Sequence, residues 1–150
     1  MAAENRVLIA GAGPAGLAAA SFLVDAGIPV TVFEAAESLP TDPRASTFHP
    51  PTLDMLDELG GVTEQVIEQG LIASTWQFRD RHTGSIATFD LSLLEGRTAH
   101  PYRVQTEQWK LTRILHERLK EKDGFEIHFG ESVVGAHQDE SGVTALVRFE

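Results

Sequence analysis

The stretch that decides the fold is residues 7–34, VLIAGAGPAGLAAASFLVDAGIPVTVFE. Val7 to Ala10 is a short apolar run ahead of a glycine turn, the pattern of a buried parallel strand. Pro14 suits the first turn of a helix and Gly27 suits its exit, so a helix is predicted from Pro14 to about Ala26. Val30 to Phe33 follows as a β-branched second strand. Together they make a strand–helix–strand unit whose crossover should be right-handed.

Gly11-Ala12-Gly13-Pro14-Ala15-Gly16 matches G-x-G-x-x-G in the setting that gives the pattern meaning: it leaves a strand and opens a helix. Gly11 permits the tight turn, Gly13 lets the backbone approach a pyrophosphate, and Gly16 lets the helix lie close to the strand. The helix start, with Pro14 and Ala15 in its first turn, offers unpaired N–H groups and a partial positive charge to phosphates. Such a dipole contributes about 0.3–1 kcal/mol per charge at an exposed site. Glu34 closes the second strand, 18 residues after Gly16. A carboxylate there can accept hydrogen bonds from ribose hydroxyls and would repel a 2′-phosphate, which disfavours NADP at this position. This fingerprint alone does not separate FAD from NAD.

Outward from this unit, Ala35 to Pro50 reads as a loop broken by Pro40, Pro43 and Pro50. Helices are predicted over Thr52–Leu59, ended by Gly60 and Gly61, and over Val62–Gln69. Thr75–Phe78 and Ile86–Phe89 flank a Thr83-Gly84 turn and read as a hairpin. Its Trp76, Phe78 and Phe89 read as core residues of that sheet, with the lining of a substrate pocket as the other possibility. A short strand at Tyr102–Val104 precedes a helix capped by Thr106 and running to about Glu121. Its inward residues are Trp109, Ile114, Leu115 and Leu119. Phe125–Phe129 alternates like a strand, and Val133–Ala136 with Val143–Phe149 reads as a hairpin around Ser141-Gly142. The class is α/β: a Rossmann-like FAD/NAD(P)-binding domain with a βαβ start and an antiparallel β insertion at about residues 72–104.

Composition narrows the function. A chain of 150 residues suits one domain, and 42% hydrophobic with 23% charged residues is ordinary for a soluble globular protein. The net charge of −10 disfavours nucleic acid and anionic membrane surfaces as partners, because both reward clustered Lys and Arg. No apolar run is long enough to span a bilayer or serve as a secretory signal, so the cytoplasm is the expected location. The absence of cysteine excludes disulfides and thiolate chemistry. The six histidines are scattered without metal-ligand spacing, and no metal is expected.

The residue 7–34 stretch resembles the start of the two-dinucleotide-binding flavoproteins. RASTFHPPTLDMLDELG (residues 44–60) and PYRVQTEQWKLTRILHERL (residues 101–119) resemble the group A FAD-dependent aromatic monooxygenases, the para-hydroxybenzoate hydroxylase-like family. The resemblance touches most of the chain. It implies FAD as cofactor, NAD(P)H as co-substrate, and hydroxylation of a small phenolic ring with O2. It places Arg44 beside the cofactor's phosphate and ribityl region, Gln105 against the same region from the start of the long helix, and the Val133 backbone near the adenine. The family often carries a glycine close before the arginine, where this chain has Asp42-Pro43. The cofactor-binding set is thus Gly11, Gly13, Pro14, Ala15, Gly16, Glu34, Arg44 and Gln105, with no catalytic acid or base named.

The resemblance also implies two later motifs, a D-G strand segment just beyond residue 150 and a later G-D motif, and neither lies within residues 1–150 at its place in the family. Residues 1–150 are therefore expected to be an FAD-binding domain incomplete at its C-terminus, inactive alone, from a longer parent that could be a homodimer. The β insertion would contribute to the substrate side. An NAD-dependent dehydrogenase domain and a non-catalytic nucleotide-binding fragment remain open alternatives.

Overall fold

The computed structural model describes residues 5–42 and 44–149; Pro43, one of the expected loop breakers, lies outside them. Strand β1 (Val7–Ala10), helix α1 (Pro14–Asp25) and strand β2 (Val30–Glu34) come first. Strand β3 (Thr47–Phe48), helices α2 (Pro50–Asp57) and α3 (Val62–Glu68), and strand β4 (Leu71–Ala73) follow. Strands β5 (Thr75–Asp80), β6 (Gly84–Asp90) and β7 (Arg103–Gln105) lead to helix α4 (Gln108–Leu119) and strands β8 (Phe125–Phe129), β9 (Glu131–Asp139) and β10 (Gly142–Phe149). These elements form two compact units, one from residues 5–42 and 111–149 and the other from residues 44–110.

In the first unit, β2 is the centre of a parallel sheet ordered β1-β2-β8, with Val7 opposite Val30 and Val30 opposite Phe125. Val30 and Val32 are fully buried there, and α1 packs on β1 and β2. Helix α1 ends as predicted: Gly27 turns the chain at φ +77°, a conformation that costs glycine little. An ion pair joins the exit of α1 to α4, with Arg118 donating to both Asp25 oxygens at 3.1 and 2.6 Å. β9 and β10 form the expected antiparallel hairpin, with a register shift at Leu146/Val147. β1 departs from the expectation of a buried strand. It lies at the sheet edge, and Val7 and Leu8 are 37% and 40% exposed.

The second unit holds the antiparallel sheet β3-β7-β4, whose Phe48 and Val104 are buried. Helix α2 starts at Pro50, where the sequence suggested a breaker. Prolines at the first helical positions give up no needed N–H, and the carbonyl of His49 accepts from Thr52 and Leu53 instead. The long helix begins at Gln108, later than expected. Thr106 does not cap it, since its hydroxyl donates to the carbonyl of Gln69 at 3.0 Å. Strand β4 was not predicted, because three residues carry too little periodicity to read. Gly70 allows its approach: a β-carbon there would lie 2.4 Å from Val104 Cγ1. The β5–β6 hairpin forms around Thr83-Gly84, but its aromatic residues are not a core. Trp76 stacks on Phe89 at 4.2 Å with Phe78 edge-on at 5.0 Å, and Phe78 and Phe89 remain exposed.

Candidate cofactor site

In the first unit, the chain leaves β1 through Gly11 at φ +98°, and the Gly11 N–H donates to the Phe33 carbonyl at 2.7 Å. The turn thereby continues the strand pairing into the loop. Gly16 is required by contact: a β-carbon on it would sit 2.1 Å from the Gly11 carbonyl oxygen. Gly13 is the opposite case. A β-carbon there would meet nothing within 4 Å, so its face of the turn is open. Gly13 is also the N-cap of α1. No side chain caps the helix and no acid stands in its first turn, which Pro14 and Ala15 open. Main-chain donors and the positive end of the helix dipole are thus left to an external anion, with glycine giving room for close approach.

Glu34 has a structural task that the sequence did not reveal. Its Oε2 accepts from the Ala12 N–H at 2.7 Å and its Oε1 from the Ala36 N–H at 3.0 Å. One carboxylate therefore clamps the glycine turn to the exit of β2. Each oxygen keeps a further acceptor site for an incoming hydroxyl. The loop beyond it is tied down by the Gly130 N–H on the Ala36 carbonyl at 3.0 Å. A cleft of about 540 Å³ opens there, lined by Ser38, Leu39, His116 and Phe129 among others. Val133 stands half-buried in β9, opposite Val147.

Arg44 and Gln105 lie together in the second unit. Gln105 is exposed at the end of β7, paired with Thr47 on one side and Leu71 on the other, rather than on the long helix. The segment after Arg44 runs alongside, its Ala45 and Ser46 carbonyls accepting from the N–H groups of Gln108 and Thr106. Arg44 itself is exposed.

A polar cluster in the same unit escaped sequence analysis. His100 Nε2 lies 2.8 Å from Asp57 Oδ2, His100 Nδ1 lies 3.0 Å from the Tyr102 hydroxyl, and Thr98 donates to Asp54 at 2.7 Å. Ligand atoms of Asp54, Asp57 and His100 come within 4.8 Å of one another, as metal ligands would. Each is already hydrogen-bonded to a protein neighbour, so the cluster is satisfied without an ion. Burial, with the Asp57 charge, pushes the Tyr102 phenol upward. Contacts spanning some forty residues leave no local spacing to read, which is why scattered histidines concealed it.

The FAD binding domain family matches residues 4–150. The chain is 41% identical over 135 residues to 6-hydroxy-3-succinoylpyridine 3-monooxygenase of Pseudomonas putida, covering 89% of this chain and 34% of that protein. The crystal structure of p-nitrophenol 4-monooxygenase from Pseudomonas putida superposes with a TM-score of 0.83 at 25% identity, over 95% of this chain and 39% of that one. Aklavinone-11 hydroxylase, solved with FAD and aklavinone, gives a TM-score of 0.81 at 28% identity, over 97% of this chain and 30% of that one. The chain thus spans roughly a third of the length of the proteins it matches. Among the described residues, no helix is long and apolar enough to cross a membrane.

Proposed function

This chain belongs to the FAD binding domain family, and from that premise we propose that it is the flavin-holding part of a monooxygenase that hydroxylates an aromatic, phenolic ring with NAD(P)H and O2. Its cofactor is FAD. When bound, FAD accepts reducing equivalents from NAD(P)H and activates oxygen, chemistry that no side chain supplies. The observation that carries the proposal is the uncapped start of α1 beside the open face of Gly13, held in shape by Glu34.

The chain's own residues bind and orient. Gly11 and Gly16 set the turn, Gly13 admits the pyrophosphate to the backbone, and Pro14 and Ala15 carry the first helical turn toward it. Glu34 fixes the loop and offers its remaining lone pairs to ribose hydroxyls. Arg44 adds a cation and Gln105 an amide for the phosphate and ribityl region, with the Val133 backbone toward the adenine. The aromatic face of the β5–β6 hairpin is assigned to the substrate side. Proton transfer is assigned to no residue of this chain. The relatives act on hydroxylated or nitrated rings by name, which supports a phenolic substrate class. The same proposal places the protein in the cytoplasm and allows a homodimer of a longer parent.

Cofactor occupancy is the test. The protein, expressed through its whole reading frame, is expected to be yellow, to release FAD on denaturation, and to oxidise NAD(P)H in the presence of a phenol with formation of a hydroxylated product. FAD bound without hydroxylation of any phenol would leave a nucleotide-binding module. NAD bound in place of flavin would revive the dehydrogenase alternative.

A further inference from the structure

Arg103 stands on β7 two residues before Gln105, so the two side chains leave the same face of the strand. Ala73 lies opposite Arg103 and Leu71 opposite Gln105. Val104, between them, points the other way and is fully buried. Arg103 is half-buried, and its Nε is shielded from solvent without a hydrogen-bond acceptor. Two other half-buried cations differ: Arg118 holds Asp25, and Arg6, whose Nε is likewise shielded without an acceptor, holds Thr31 and Glu126 through Nη1. Among the described residues no carboxylate meets Arg103, in a chain that carries 22 acidic residues. A partly desolvated cation without a partner is unfavourable, and a guanidinium is a planar fork that suits two oxygens of one anion.

We propose that Arg103 is an anion-binding residue, taking an oxyanion of a bound ligand on the face of β7 that also carries Gln105. The inference rests on the flavin monooxygenase proposal for its ligands. The oxyanion comes either from the FAD phosphates or from the ionised oxygen of the phenolic substrate, and both present the same chemistry.

The test compares Arg103→Met and Arg103→Lys with the parent protein, using FAD and 4-nitrophenolate as probes. FAD affinity is read by flavin fluorescence on the stripped protein. Nitrophenolate affinity is read by perturbation of the flavin spectrum on the loaded protein, and thermal unfolding is followed with and without each probe. Arg103→Met is expected to unfold no earlier than the parent without ligand, because it removes an unpaired buried donor. It should weaken one of the two ligands about tenfold, the scale of a single charge-assisted hydrogen bond, with Arg103→Lys in between. Weaker FAD binding identifies the phosphates as the source; weaker nitrophenolate binding alone identifies the substrate. Unchanged affinity for both overturns the proposal. So does an equal loss of thermal stability with and without ligand, which marks a structural arginine. If the parent protein binds FAD but no phenol, the hydroxylase proposal fails, and Arg103 is judged on FAD alone.

Discussion

The Glu34 carboxylate accepts the Ala12 N–H at 2.7 Å, so an acid at the end of β2 holds the conformation of the glycine turn at the end of β1. A second bond, from the Ala36 N–H at 3.0 Å, fixes the same side chain from the other direction. Replacing it by Ala removes two charge-assisted bonds, and hydrogen bonds to charged groups contribute about 1.5–3 kcal/mol each. Glu34→Ala is expected to lower the denaturant midpoint of the FAD-free protein as well as FAD affinity. An unchanged midpoint would limit the residue to ligand contact and contradict the clamp.

Gly13 and Gly16 should separate cleanly. Gly16→Ala sets a β-carbon against the Gly11 carbonyl, so backbone must move; overpacking of this kind costs about 1–3 kcal/mol. It is expected to lower stability with or without FAD. Gly13→Ala meets open space at an ordinary φ of −71°, so it should leave FAD-free stability within about 0.5 kcal/mol. Its effect should appear in the FAD dissociation constant. Equal behaviour of the two variants in both assays would refute the assignment of the open face to the ligand.

The Asp25–Arg118 pair predicts a pH dependence. Hydrogen bonds from Arg118 hold the Asp25 carboxyl below the usual aspartate range, with Lys122 helping and burial opposing. The folded value is the lower one, so the stabilisation is full above the unfolded aspartate pKa and is lost as pH falls through the folded value. For a partly exposed pair it amounts to about 0.2–1 kcal/mol. Asp25→Asn should therefore be less stable than the parent at neutral pH, and the gap should close in acid. A gap independent of pH would assign the effect to something other than charge.

Trp76 and Phe89 stack at 4.2 Å across the β5–β6 pair. Such aromatic pairs contribute about 0.5–1.5 kcal/mol beyond their buried area, and an isolated two-stranded hairpin is marginal. Phe89→Ala is expected to loosen the hairpin locally. In the 150-residue chain a Trp109→Phe change leaves Trp76 as the tryptophan that reports on it, and its emission should move toward that of a solvated indole. No movement would show that the hairpin is held from elsewhere.

The sequence alone determined the βαβ unit, its boundaries and the order of most elements. These depend on local chemistry: period-2 and period-3.6 patterns, glycines at turns, and proline at a helix start. Local pattern misled where one residue type serves two ends, as when Pro50 opened α2 instead of breaking it. Only the tertiary structure decided which strand took the sheet edge, and therefore that apolar Val7 and Leu8 are partly exposed. It also decided that Glu34 bonds the glycine turn, that Arg103 finds no acid among the described residues, and that His100 meets Asp57. Each depends on the distance between residues far apart in sequence. Chain spacing does not encode that distance; packing fixes it.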